Sequence, residues 1–217
     1  RSQVAPGDGR RVDAGAFLPA HNRANRYRSR TYKVFNGVKI RTLHPWNLSC
    51  KEAIDIQRRL SGQVRQVPFT KPVRIIAGAD VSYAKQDAKV YAAVLVFSFP
   101  DLAVTDRAAA ADSVKFPYVP GLLSFREAPA LTKAFRKIRR KPDVIIFDGQ
   151  GIAHPRRMGL ASHMGLILDC PSIGCAKTRL VGIHSPLPTG RGSMVLLTDQ
   201  GRIVGGVLRT RERIKPV

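Results

Sequence analysis

The sequence predicts an α/β fold: a mixed β-sheet with helices on both faces. Three observations lead there. Apolar runs of strand length interleave with amphipathic runs of helix length. Two β-rich runs succeed each other early, as in a meander. And 44% of the 217 residues are apolar, with Gly and Pro spread along the chain, which is enough for one domain with a full core.

In chain order, Ser49 comes first. It precedes the helical run Lys51–Leu60 with Glu52 three residues on, a capping box that opens an amphipathic helix. Pro68 and Pro72 interrupt the chain before Val73–Val81, an apolar run short enough for a buried strand that leads into Asp80. Val90–Phe99 is a second strand, and Leu102–Asp106 a short third one pairing with it across Pro100-Asp101. Pro117-Tyr118-Val119-Pro120-Gly121 forms a rigid loop, because two prolines fix φ and donate no hydrogen bond. A helix runs from Ser124 to about Arg140, with Glu127, Leu131, Ala134 and Ile138 on one face and Lys133, Arg136, Lys137 and Arg140 opposite. Glu127 is thus an inward-facing acid in its first turn. Asp143–Phe147 is a continuous apolar strand ending at Asp148-Gly149-Gln150-Gly151. Met158–Leu168 reads as a helix, Ser172–Cys175 as a short strand, and Met194–Asp199 with Ile203–Arg209 as a hairpin around Gln200-Gly201.

Charge supplies the first functional constraint. The chain carries 37 Lys and Arg against 15 Asp and Glu, a formal net charge of +22, which calls for a polyanionic partner. Residues 1–42 hold ten basic residues against two acids with little hydrophobic periodicity, and read as a basic, flexible extension able to add phosphate contacts. Residues 43–217 remain strongly basic and are expected to form the folded domain. The longest apolar run, Val90–Phe99, is far short of the roughly 20 residues of a membrane span, so no membrane partner is expected. Three cysteines without a Cys-x-x-Cys pair, and five histidines without ligand spacing, argue against a disulfide framework and against zinc. They fit a reducing, cytoplasmic setting. Cys170 and Cys175 lie in apolar surroundings and read as inert core thiols.

Acids are scarce, so their placement is informative. Asp80 and Asp148 both lie at the ends of apolar strands, and Glu127 points inward. If the strands are neighbours, three carboxylates converge, and they cannot all stay ionised at close range without a cation. Hard oxygen ligands with room for water and phosphate select Mg²⁺ or Mn²⁺ over zinc. An acidic, metal-holding pocket on a basic protein indicates a nuclease. The plainer reading is that an Asp at a strand end forms a turn, and that Glu127 caps its helix behind Ser124. No Gly-x-Ser-x-Gly elbow, Walker-type phosphate loop or dinucleotide fingerprint competes.

Several longer motifs then resemble one family. They are His44-Pro45-Trp46 with the helix after it; Ile76–Ser82 around Asp80; Pro117–Glu127; Asp148–Arg157, including His154-Pro155-Arg156-Arg157; Ala161-Ser162-His163; and Ile173–Lys177. In this order they resemble endonuclease V, the deoxyinosine 3′ endonuclease with a ribonuclease H-like fold. The resemblance implies that Asp80, Glu127 and Asp148 ligate the catalytic Mg²⁺, with Mn²⁺ able to substitute. It implies that Tyr118, held by Pro117, is a wedge entering the nucleic acid beside the lesion. Gly121, Leu123, Gly149 and Gly151 match the pocket for the flipped base. Lys177 matches a lysine near the scissile phosphate, and His154 a histidine beside the active site; read alone, Lys177 is one surface lysine among many and His154 a loop-bonding residue.

The implied reaction is hydrolysis of the second phosphodiester 3′ to inosine, leaving 3′-hydroxyl and 5′-phosphate ends, in repair of deaminated DNA; for oligomeric state the default expectation is a monomer. Two departures stand out. Gln150 replaces the family's His or Asn while keeping an amide donor. The family also continues past the Arg209–Pro216 region into a strand, a Pro-Gly-His segment and a helix, whereas this sequence stops at Val217, the expectation being a domain without its C-terminal end. The alternatives are a catalytically impaired nucleic-acid-binding protein, an RNA-directed inosine-specific endoribonuclease, and another ribonuclease H-like nuclease with a different substrate. The Asp148–Arg157 stretch resembles the bacterial branch, which favours DNA.

Overall fold

The computed structural model describes residues 38–84 and 88–217, together with the backbone of two short strands, β1 (Phe17–Pro19) and β2 (Tyr32–Phe35). The expectation of a flexible extension over residues 1–42 falls mostly outside the described residues. At its end, β3 (Val38–Arg41) pairs antiparallel with β2 and buries Val38 and Ile40 in the main core.

The remaining elements are α1 (Cys50–Ser61), β4 (Val64–Gln66), β5 (Ile75–Tyr83), β6 (Lys89–Ser98), β7 (Val104–Ser113), α2 (Leu123–Phe135), β8 (Val144–Asp148), α3 (Leu160–Leu168), β9 (Ser172–Cys175), β10 (Met194–Asp199) and β11 (Arg202–Leu208). Seven strands form one mixed sheet in the order β4-β1-β9-β8-β5-β6-β7. β5, β6 and β7 are an antiparallel meander, while β8 runs parallel to both β5 and β9. The mixed α/β architecture is the expected one.

The distribution of helices differs from expectation. Along β6, Val90, Ala92, Val94 and Val96 are buried, and the residues between them are exposed, Tyr91 and Leu95 among them. α2 and α3 both pack over the buried set, together with Ala77, Ala79, Ile145 and Phe147. Among the described residues, the helices that meet the sheet share one face. The apolar run Val90–Phe99 gives no hint of this, because Tyr91, Ala93 and Leu95 interrupt no hydrophobic pattern. α1 forms a further layer on the same side, packing Ala53, Ile56 and Leu60 against Phe116, Phe125 and Leu166.

Three boundaries shift, each for a physical reason. β7 is ten residues long, well past Asp106, because Ala108–Ala111 pair with β6 through backbone bonds that their low strand propensity does not advertise. α2 begins at Leu123 and ends at Phe135, with Arg136 as C-cap and a tight turn carrying the chain to the buried Ile138. Glu127 therefore stands in the second turn. Ser124 is not the cap: that position is Leu122, which makes no side-chain cap bond, and the Ser124 hydroxyl lies 3.0 Å from His163 Nδ1. α3 starts at Leu160, since Met158 and Gly159 belong to the loop whose Gly159 and Ala161 amides donate to Gly151 and Gln150. The capping box of α1 forms as expected, Ser49 Oγ accepting from the Glu52 amide and the Glu52 carboxylate accepting from the Ser49 amide at 2.8 Å.

Candidate active site

The sheet register brings two acids side by side. β5 and β8 are parallel neighbours in which Ala79 pairs with Phe147, so Asp80 and Asp148 are the next residues on adjacent strands. Asp80 lies three residues before the end of β5, not at its terminus. Glu127, 6% exposed, approaches from α2 and accepts a hydrogen bond from the Tyr83 hydroxyl at 2.9 Å. Burial pushes the Glu127 carboxyl up to about 7, and the negative charges of Asp80 and Asp148 push the same way. The three carboxylates thus feel one another, and the inner one holds its proton far above the usual carboxylate range. On the outer side, Lys177 Nζ donates to Asp148 Oδ2 at 2.6 Å, and this bond raises the lysine's pKa.

Among the described residues, no three His, Cys, Asp or Glu side chains stand close enough together to form a ready metal cage. Strand alternation explains the spread. Ala79 and Phe147 are buried under the helices, so Asp80 and Asp148 turn to the other side of the sheet while Glu127 arrives from the helix layer. The donors are nonetheless all carboxylate oxygens. Their chemistry fits a hard divalent cation, and a cation beside them would offset the burial and the neighbouring charges that raise the Glu127 carboxyl.

The loop 117–121 leads into α2, the helix that carries Glu127. Tyr118 is 72% exposed. Behind it the Gly121 carbonyl accepts from Gln57 Nε2 at 3.0 Å, His154 Nε2 at 2.9 Å and Arg156 Nη2 at 2.8 Å. Gly121 has φ +77°, and a Cβ there would meet Arg156 Nη2 at 2.9 Å, so only glycine serves. Gln57 is fully enclosed; it also donates to the Met158 carbonyl and accepts from Arg156 Nε. His154 Nδ1 accepts from the Arg156 amide, which leaves the proton on Nε2, and burial holds the ring down to about 4 and neutral. The structure therefore puts His154 on the loop and not on the carboxylates.

The other expected residues gather nearby. Pro117 is exposed, and Leu123 is the half-buried first residue of α2. The Gly149 amide donates to the Cys175 carbonyl at 3.2 Å, and its φ of +152° again favours glycine. Gly151 has room for a side chain, whereas Gly174, packed on the backbone of Gly149 and Gly151, has none. Gln150 donates to the Thr178 carbonyl at 2.7 Å, so its amide ties this loop to the segment after Lys177. The Cys170 thiol is buried and pushed up to about 12, so it offers no nucleophile.

Tyr83, Gln57 and Arg156 have no role in the sequence reading yet shape the site. Gln57 had a signal, as a polar residue on the apolar face of α1 that also carries Ala53, Ile56 and Leu60. Tyr83 and Arg156 had none, because their partners lie 44 and 35 residues away along the chain.

Two acids on adjacent strands of a mixed sheet, with a third on the helix over them, on a protein of net charge +22, fit the class of nucleases, which draw in a polyanion and hydrolyse it. Comparison narrows the class. The Endonuclease V family model matches residues 58–217. The chain is 51% identical over 175 residues to an endonuclease V of Trichormus variabilis, covering 80% of this chain and 79% of that protein. It superposes on the crystal structure of an endonuclease V from Streptomyces avermitilis with a TM-score of 0.70 and 38% identity, over 79% of this chain and 76% of that one. A Ciona intestinalis endonuclease V, in complex with a 23mer DNA containing an inosine followed by a ribo-adenosine, matches with a TM-score of 0.57 and 26% identity, over 63% of this chain and 61% of that one. The chain belongs to the endonuclease V family: it is an endonuclease, hence a phosphodiester hydrolase, with the ribonuclease H-like fold of that family.

Proposed function

We propose that this endonuclease recognises inosine in DNA and, with Mg²⁺ or Mn²⁺, hydrolyses the second phosphodiester 3′ to it, leaving a 3′-hydroxyl and a 5′-phosphate, as the first step in repair of deaminated adenine. The observation that carries the reading is the parallel register of β5 and β8, which sets Asp80 and Asp148 side by side, with Glu127 approaching from α2. Asp80, Glu127 and Asp148 would hold the divalent cation. When bound, it supplies activation of water and stabilisation of the leaving oxygen.

The chain's own residues supply the rest. Tyr118, exposed on a loop stiffened by Pro117 and Pro120, stacks into the gap left by an extruded base. Gly121, Leu123, Gly149 and Gly151 line the pocket that receives the base, where glycine lets backbone groups reach its edge. Lys177, now on Asp148, sits where an ammonium can meet a phosphate oxygen. His154 keeps the loop in register through Gly121. Residues 1–42 add phosphate contacts to the catalytic domain at 43–217, and the enzyme acts as a monomer in the cytoplasm, where its three cysteines stay reduced.

The test is cleavage of end-labelled oligonucleotides in Mg²⁺: inosine DNA, undamaged DNA, and inosine DNA with a ribonucleotide 3′ of the lesion. The last is included because the DNA bound by the Ciona relative carries a ribo-adenosine there. The expected outcome is one cut at the second phosphodiester 3′ to inosine, no cut in undamaged DNA, and at least about a thousandfold loss in Asp148→Asn. Equal cutting of undamaged DNA, or binding without any cutting by the wild type, contradicts the proposal. A cut only beside the ribonucleotide turns it to the RNA-directed reading.

A further inference from the structure

A second basic feature lies away from the carboxylates. The C-terminal end of α1, the 155–157 loop and the β10–β11 turn enclose a cleft of about 550 Å³, lined by Arg58, Ser61, Arg156, Arg157, Gln200 and Arg202. The turn that brings in Gln200 and Arg202 is fixed by chain geometry. Gln200 and Gly201 both have positive φ (52° and 72°), the requirement of a tight two-residue hairpin. Four arginines from three separate segments therefore line one space, with Arg156 held by Gln57 and Gly121 and Arg157 by Asp199. Two acids accompany them: Asp55 pairs with Arg58 at 3.3 Å where both are exposed, and Asp199 pairs with Arg157. The Arg157 Nη1 atom is buried without a partner among the described residues.

We propose that this arginine cleft is a binding site for the sugar–phosphate backbone of the nucleic acid, separate from the cutting site. The inference rests on the chain being a nuclease that acts on nucleic acid. The donors define the ligand class. Guanidinium forks match phosphate oxygens two at a time, and the exposed Arg58 and Arg202 on separate elements of one opening suit successive phosphodiesters. Arg156 gives the cleft a second consequence. Its guanidinium donates through Nε to Gln57 and through Nη2 to the Gly121 carbonyl, so a phosphate drawn to the cleft bears on the same side chain that holds the Tyr118 loop. Backbone binding and wedge placement share one residue.

Arg58 and Arg202 are exposed and can be changed without opening the core. The test compares the wild-type chain with Arg58→Gln/Arg202→Gln and with a control pair of equal charge loss, Lys71→Gln/Arg74→Gln, located before the start of β5. Binding to labelled undamaged and inosine duplexes is measured in Ca²⁺ across a series of KCl concentrations, with thermal unfolding run alongside. The cleft variant is expected to bind both duplexes about tenfold more weakly near physiological salt, with the slope of log K against log salt shallower by about one to two. The control pair is expected to change each by much less. Wild-type affinity and slope in the cleft variant, or equal losses in the control, overturn the proposal. The slope on undamaged DNA separates this from the reading of substrate and cut. A wild type that binds steeply but ignores inosine removes that reading and leaves the cleft standing.

Discussion

Glu127 and His163 are both buried titratable groups, but burial moves them in opposite directions because it always disfavours the charged form. Glu127 rises to about 7 and His163 falls to about 3, with His44 beside it. The His44 Nδ1–H donates to the Pro45 carbonyl, so its Nε2 must accept from His163 Nε2 at 2.8 Å, and His163 Nδ1 then accepts from Ser124. Every proton in that chain is fixed with both rings neutral. The consequence for stability has a definite sign. A histidine whose folded pKa is depressed contributes stability that is present above 6.5 and is lost as pH falls toward about 3. Over that window each such ring steepens the loss by up to about 1.4 kcal/mol per pH unit. Because Glu127, raised to about 7, pulls the other way above its ordinary value of 4.5, the histidine contribution is read as the difference in urea unfolding between the wild type and a His163 variant from neutral pH to about pH 4. His163→Gln, whatever its own cost, is expected to flatten the slope. An unchanged slope would assign the acid sensitivity elsewhere.

The elements position these residues with different degrees of legibility. The capping box of α1 is local, spanning Ser49 to Glu52, and could be read from four residues. The two strands that carry Asp80 and Asp148 could be anticipated from apolar runs ending in scarce acids, although neither their adjacency nor their parallel register could. The length of β7 was hidden in its Ala-rich run, where pairing with β6 supplies what side-chain propensity does not. The lock on the 117–121 loop was hidden for a different reason, since Gln57 reaches across 64 residues to Gly121. That lock carries a prediction. Gln57→Ala removes two donors to buried carbonyls and the acceptor of Arg156 Nε, and is expected to cost about 1–3 kcal/mol in unfolding free energy. If the lock also sets the wedge, the preference for inosine over undamaged DNA falls with it, and Gln57→Glu, which keeps the acceptor for Arg156, restores part of that preference. A variant that loses stability and keeps full discrimination would limit Gln57 to packing.

At the scale of the whole molecule, a chain of net charge +22 concentrates its chemistry in a few of its 15 acids. The basic excess could be read from composition, and it predicted a polyanion without naming the reaction that the polyanion undergoes once bound. Fold and family agree on that reaction. Among the described residues no helix is long and apolar enough to cross a membrane. Asp80, Glu127 and Asp148, spread by strand alternation, are the proposed seat of a divalent cation. Calorimetric titration of Mn²⁺ into the full chain at neutral pH, beside Asp148→Asn, tests it most directly. The account predicts saturable binding by the wild type, with proton release as Glu127 ionises, and at least about a tenfold weaker affinity in the variant. Equal Mn²⁺ binding by both proteins, or none by a wild type that still cuts inosine DNA in the presence of chelator, would contradict it.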